Sequence, residues 1–130
     1  LEASKKDNTE ALLLLGMVYL AQDDVDNAKA MYTQYISAEG DSAKGYNGLA
    51  LCDIRNGDYD SALDNITKGL PTASTDEMQS LLFNEIVAYE KKLDFATALT
   101  KAQEYIDMFP EDSAAKKELA FLKTRTSSEG

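Results

Sequence analysis

The sequence predicts an all-α protein: a solenoid of three helical hairpins closed by one further helix, seven helices in all. Three observations predict it. A pattern of side chains returns at a near-constant offset along 130 residues. Within each copy, apolar residues recur at three- and four-residue spacing. Short polar turns separate the halves of each copy.

The return is clearest at the turns. Asn56-Gly57-Asp58-Tyr59-Asp60-Ser61-Ala62-Leu63 aligns with Gln22-Asp23-Asp24-Val25-Asp26-Asn27-Ala28-Lys29 at an offset of 34 residues. It aligns again with Lys92-Leu93-Asp94-Phe95-Ala96-Thr97-Ala98-Leu99 at an offset of 36. In each copy an Asp precedes a large apolar residue, with Ala three positions later. Upstream, Leu12, Leu15, Gly16 and Tyr19 correspond to Tyr46, Leu49, Ala50 and Asp53, then to Leu82, Glu85, Ile86 and Tyr89. Asp53 and Glu85 are the misfits. The boundaries are a lead-in at 1–8, copies at 9–42, 43–76 and 79–112, a capping helix at 113–124 and a polar tail at 125–130.

The first half of copy one is helical through Leu12, Leu15 and Tyr19, the second through Ala28, Met31, Tyr32, Tyr35 and Ile36. Asp24, Asp58 and Asp94 end the turns, where a carboxylate accepts from the free N–H groups of the helix that follows. Ser42, Thr75 or Asp76, and Asp112 or Ser113 are the matching caps for the first halves. Gly57, Pro71 and Pro110 punctuate turns and helix ends. Gly16, Ala28, Ala50, Ala62 and Ala98 are small where helices approach closely. The last stretch, 114–123, puts Leu119 and Leu122 on one side and Lys116, Lys117 and Lys123 elsewhere, a wettable cover for the open end.

These copies resemble tetratricopeptide repeats. The middle copy is the nearest to the pattern, with Tyr46, Leu49-Ala50, Gly57-Asp58-Tyr59, Ala62 and Leu70. The third has Leu82, Tyr89, Asp94-Phe95, Ala98 and Pro110, and the first has Leu12, Leu15-Gly16, Tyr19, Ala28 and Tyr32, with Gly40 where Pro is usual. The resemblance implies a right-handed superhelix with a concave surface that holds an extended peptide or a partner's helix. In that register the groove residues are Leu13, Met17 and Leu20 from the first copy. The second supplies Lys44, Asn47, Leu51, Ile54 and Arg55, and the third Phe83, Val87 and Lys91. Glu10, Ala21, Ser80 and Glu90 share the same face.

An apolar lining of that extent marks a binding site, so a protein or peptide partner with an apolar or amphipathic segment is expected, and Lys44, Arg55 and Lys91 are expected to meet its acidic groups. The alternative, of another class, is a self-association domain whose apolar wall is covered by a second copy. The family members that clamp the Glu-Glu-Val-Asp tail of heat-shock chaperones use Lys, Asn and Arg at set positions. The residues here are Leu13, Met17, Gly48, Ser80 and Asn84, so that ligand is not expected.

Composition narrows the chemistry. Thirteen Lys plus Arg against twenty-three Asp plus Glu give a formal charge of −10, which disfavours nucleic acid as a partner. With no His and one Cys, Cys52, the chain lacks the means for His-based triads, Cys/His zinc sites and internal disulfides. Asp23, Asp24 and Asp26 do not follow a calcium-loop pattern, because Val25 and Ala28 interrupt it. No metal or cofactor is expected, and no constellation of catalytic roles emerges, so the chain is read as non-catalytic. Cys52 reads as a small buried hydrophobe. Ala11–Ala21 is an unbroken apolar run, too short for the roughly 20 residues a bilayer demands. It reads as a mostly buried or groove-facing helix rather than a membrane insertion. Compartment is open: cytoplasm, or the cell envelope should a signal precede Leu1.

Overall fold

A computed structural model describes the backbone of residues 2–127 and side chains from 8 to 126. Among the described residues the chain forms seven α-helices: α1 Glu2–Ala21, α2 Val25–Glu39, α3 Ala43–Asn56, α4 Tyr59–Gly69, α5 Thr75–Lys91, α6 Phe95–Met108 and α7 Ser113–Ser127. A 3-10 turn, Leu70–Thr72, follows α4 and contains Pro71. Each helix packs on the next, and the first helices of successive hairpins also touch, α1 on α3 and α3 on α5. The expected all-α hairpin stack is therefore what forms. Three boundaries differ from the sequence reading. Helix α1 already begins at Glu2, inside the lead-in, α5 begins at Thr75, before the third copy's expected start at 79, and α7 continues to Ser127, into the tail. The extension of α7 is held by Arg125, whose guanidinium lies over the rings of Phe95 and Phe121 at 5.7 and 5.2 Å. Residues 128–130 of the tail lie outside the described residues.

The turns show why the repeat is so regular. Asp23, Gly57 and Leu93 occupy equivalent positions and all adopt positive φ, at 61°, 80° and 67°. Only Gly57 does so without a side-chain penalty. The next residue caps the second helix: Asp24 accepts from the Asn27 N–H at 3.4 Å and Asp94 from the Thr97 N–H at 3.2 Å. Asp58 makes no such side-chain bond. At the start of α5 the cap is Ser74, not Thr75 or Asp76. Ser74 and Glu77 form a reciprocal capping box, at 3.2 and 2.9 Å. Ser42 starts α3 without a side-chain bond, and Asp112 accepts from the Ala115 N–H at 3.2 Å to begin α7.

Three buried clusters run along the stack. The first gathers Leu20, Ala28, Tyr32 and Cys52, the second Ala43, Ala50, Ala62, Ile66 and Leu81, and the third Ile86, Ala98, Ala102, Tyr105, Ala115 and Leu122. Tyr32 is the wedge between the first two hairpins. A Cβ at Gly16 would lie 2.8 Å from its ring, and one at Gly48 only 2.3 Å. Those two glycines let α1 and α3 both close on one aromatic ring.

The misfit acids are accommodated differently. Asp53 is fully buried and accepts from Ser61 Oγ and Asn65 Nδ2, both at 2.8 Å, with Lys29 Nζ at 3.4 Å. Glu85 faces Lys101 at 3.9 Å, and burial lifts its carboxyl above the usual range despite that neighbour. A third acid, Glu90, approaches Glu118 of α7. With both ionised neither can donate, and Glu90 Oε1 is buried with no hydrogen-bond partner. Burial first, then a bond and repulsion from Glu118, push the Glu90 carboxyl up to about 8.

Candidate functional site

Three first-type helices, α3, α5 and α7, turn one face toward a common concavity. Its central cavity, about 460 Å³, is lined by Asn47 and Leu51 from α3, Gln79, Ser80, Phe83 and Asn84 from α5, Tyr105 from α6, and Asp112 and Ala114 around the start of α7. Two neighbouring cavities share its walls. One, about 210 Å³, adds Ala43, Lys44, Asp76 and Glu77 beside Asn47 and Ser80. The other, about 570 Å³, adds Met108, Phe109, Pro110 and Glu111 beside Gln79 and Asp112. Together they make a trough along the concave face.

The floor is aromatic and aliphatic. Phe83 meets Tyr105 edge-on with ring centroids 5.8 Å apart, and Tyr105 meets Phe109 at 5.0 Å. The polar groups are fixed by one another. Asn84 Nδ2 donates to Asn47 Oδ1 at 2.7 Å across the α3–α5 gap. That bond leaves the Asn47 amide its N–H donors and Asn84 its carbonyl oxygen, a donor and an acceptor side by side. Tyr105 Oη donates to Asp112 Oδ2 at 2.5 Å, and Gln79 Nε2 reaches the same oxygen at 3.4 Å. The Tyr105 bond, with the Ala115 N–H, holds the Asp112 carboxyl below the usual range, while burial and that same bond push the Tyr105 phenol up to about 12. Asp112 is thus an anchored anion, and the Tyr105 ring cannot swing away from the floor without breaking its hydrogen bond.

Of the residues named from the sequence, the structure brings Asn47, Leu51 and Phe83 together in the central cavity and places Lys44 at its edge. The others sit elsewhere. Leu20 is only 8% exposed and belongs to the core with Ala28 and Tyr32, which corrects its reading as a groove residue. Leu13 is half-buried against that same cluster, Ile54 is half-buried against the second, and Val87 is half-buried on α5. Met17 stands 56% exposed on α1, beyond the cavity. Arg55 donates to the Leu20 carbonyl oxygen at 3.1 Å and to Asp23 at 3.2 Å, closing the end of α1. Lys91 lines a separate cavity with Tyr59, Glu90, Leu93, Phe95 and Phe121.

The sequence reading missed Gln79, Asn84, Tyr105, Asp112 and Ala114 as lining residues. Tyr105 lies on a second helix and Asp112 on a connection, so a register confined to first helices could not supply them. A signal was present in the spacing Tyr105-x6-Asp112, which spans the last hairpin connection.

The comparisons agree with this fold. Residues 10–42 match the sequence model of the tetratricopeptide repeat. No curated protein sequence matches the chain. Among solved structures, the TPR domain of Arabidopsis OM64 superposes with a TM-score of 0.79 at 17% identity, covering 92% of this chain and 98% of that one. The first TPR domain of human RPAP3 gives 0.82 at 16%, covering 92% and 93%. The TPR2B domain of yeast Sti1, solved as a pHsp70 complex, gives 0.76 at 20%, covering 94% and 98%. The recognition made from the repeat spacing stands: the fold is that of a tetratricopeptide-repeat domain.

Proposed function

We propose that the chain is a non-catalytic scaffold that binds a peptide or amphipathic helix of a partner protein in the trough between α3, α5 and α7. The observation that supports this most directly is the trough itself, an apolar floor of Leu51, Phe83 and Tyr105 with an unspent amide donor and acceptor at Asn47 and Asn84. An extended backbone offers the reciprocal pair, while its side chains cover the rings.

The likeness to a pHsp70-bound domain does not extend to the ligand. At the positions matching a two-carboxylate clamp stand Leu13, Met17, Gly48, Ser80 and Asn84. Gly48 cannot be exchanged for an amide residue, since its Cβ would already enter the Tyr32 ring.

The test places a photo-crosslinking phenylalanine analogue at position 83 and, as a control, at Phe121, which lines the separate cavity beside Lys91. Adducts with a partner polypeptide from position 83 alone support the trough. Equal adducts from both positions, or none from 83, refute it.

A second reading, self-association, has one observation in its favour. On α1, Leu14, Leu15 and Val18 are 61%, 43% and 51% exposed along one stripe. The equivalent positions on α3 are Gly48, Leu49 and Cys52, which pack against α2. Light scattering over a concentration series decides it: a monomer at all concentrations removes this reading.

A further inference from the structure

The charges on the trough identify the chemistry of its occupant, an inference that rests on the docking reading above. Four carboxylates, Asp76, Glu77, Glu111 and Asp112, line the connected cavities, against one cation, Lys44. Lys44 shares its cavity with two of the four. The cavity beyond Gln79 has Glu111 and Asp112 as its charged groups beside Met108, Phe109 and Pro110. Of the other two cations expected to meet an acidic ligand, Arg55 is bound to Asp23 and Lys91 lines a separate cavity beside Glu90. Lys29, Lys92 and Lys101 are paired with Asp53, Asp60 and Glu85. Two features temper the field without reversing it locally. The N-termini of α5 and α7 carry positive partial charge, and Lys117 lies one helical turn beyond Ala114. Charges beyond about 8 Å are largely screened at physiological salt, so the groups lining the cavity dominate.

We infer that the trough takes an apolar segment bearing lysine or arginine, its apolar side chains on Leu51, Phe83 and Phe109 and its cation at Glu111 and Asp112. Glu111 is exposed, so its carboxylate is open to a ligand, whereas Asp112 is held in place by Tyr105 and the start of α7. An acidic segment would bring like charges together at this end, which raises its cost rather than merely withholding a contact.

The experiment pans a random dodecapeptide display library against the whole chain and measures recovered peptides by fluorescence polarisation. The expected outcome is enrichment of Lys or Arg next to apolar residues. Affinity should fall at least five-fold in Glu111→Gln/Asp76→Asn, weaken with added salt, and vanish in Phe83→Asp. Circular dichroism confirms that the variants keep their helicity. Peptides that are neutral or acidic, or indifferent to the charge variant, yet lost in Phe83→Asp overturn the basic-ligand inference and leave the docking reading standing. No enrichment, or peptides that bind Phe83→Asp unchanged, overturns both.

Discussion

Gly48→Ala tests the approach of the first two hairpins. A Cβ built at Gly48 falls 2.3 Å from Tyr32 Cδ1, 2.4 Å from Cε1 and 2.6 Å from Cγ. Carbon atoms settle at about 3.5–4.0 Å, so the ring or the helix must give by about 1 Å. The same ring is also approached closely by Gly16 of α1, where a Cβ would stand 2.8 Å away. Overpacking of this kind costs about 1–3 kcal/mol, and the tight geometry argues for the upper end. Against it, replacing a helical glycine by alanine gains about 1 kcal/mol of propensity. The net expectation is a loss of about 2 kcal/mol, which for a chain of this length lowers Tm by roughly 6–10 °C. Thermal and urea unfolding followed by circular dichroism measure it. The same substitution in a Tyr32→Leu background should cost at least about 1 kcal/mol less, since the two residues are in contact. A Gly48→Ala protein as stable as the parent, or an equal cost in both backgrounds, would refute the wedge.

Three further outcomes follow from the described contacts. Glu90 folds with its carboxyl raised from 4.5 to about 8, so its contribution favours the fold fully below about pH 4.5 and is lost as pH rises through 8. Glu90→Gln should therefore stabilise the protein at pH 9 by about 1–2 kcal/mol after allowance for solvent screening, and by little at pH 5; a pH series of Tm values that stays parallel in parent and variant contradicts this. Leu93→Gly should add about 1 kcal/mol, because Leu93 holds φ at 67° with its side chain 72% exposed and little packing to lose; urea midpoints check it. The Cys52 thiol is pushed up to about 11, chiefly by burial and then by Asp53, so a thiol reagent at pH 8 should label it only after unfolding; rapid stoichiometric labelling of the folded chain would show that the first core cluster opens.

The fold was legible because the repeat is written in backbone requirements as well as in hydrophobicity. Asp23, Gly57 and Leu93 have different side chains, yet each stands one residue before a capping Asp, and that shared place forces the same positive φ. The acids that interrupted the pattern were harder to read. Asp53 takes a position held by Tyr19 and Tyr89, and it is tolerated because Ser61 and Asn65 on α4 and Lys29 on α2 complete its hydrogen bonds. Those partners lie 8, 12 and 24 residues away, too scattered to form a motif. Gly48 was equally silent: its importance depends on the Tyr32 ring brought from the preceding hairpin, and no spacing on α3 alone reveals it.

The site was legible only where one helix face decides it. Asn47, Leu51 and Phe83 share a register position family on first helices, and the structure gathers them. Leu20 and Arg55 satisfy the same register but lie at the turn end of the hairpins, where the core and the α1 C-terminus claim them. The register assigns a direction around the helix axis; it says nothing of depth along the axis. Depth is set by where α6 and the connection into α7 close the trough, through Tyr105 and Asp112. That closure also reverses the expected electrostatics. Of the cations read as ligand contacts, Arg55 pairs with Asp23 near a turn and Lys91 lines a separate cavity. Glu77 and Asp112, which help cap α5 and α7, line the trough cavities. Glu77 and Asp112, placed there to cap helices, therefore also supply two of the four carboxylates that line these cavities.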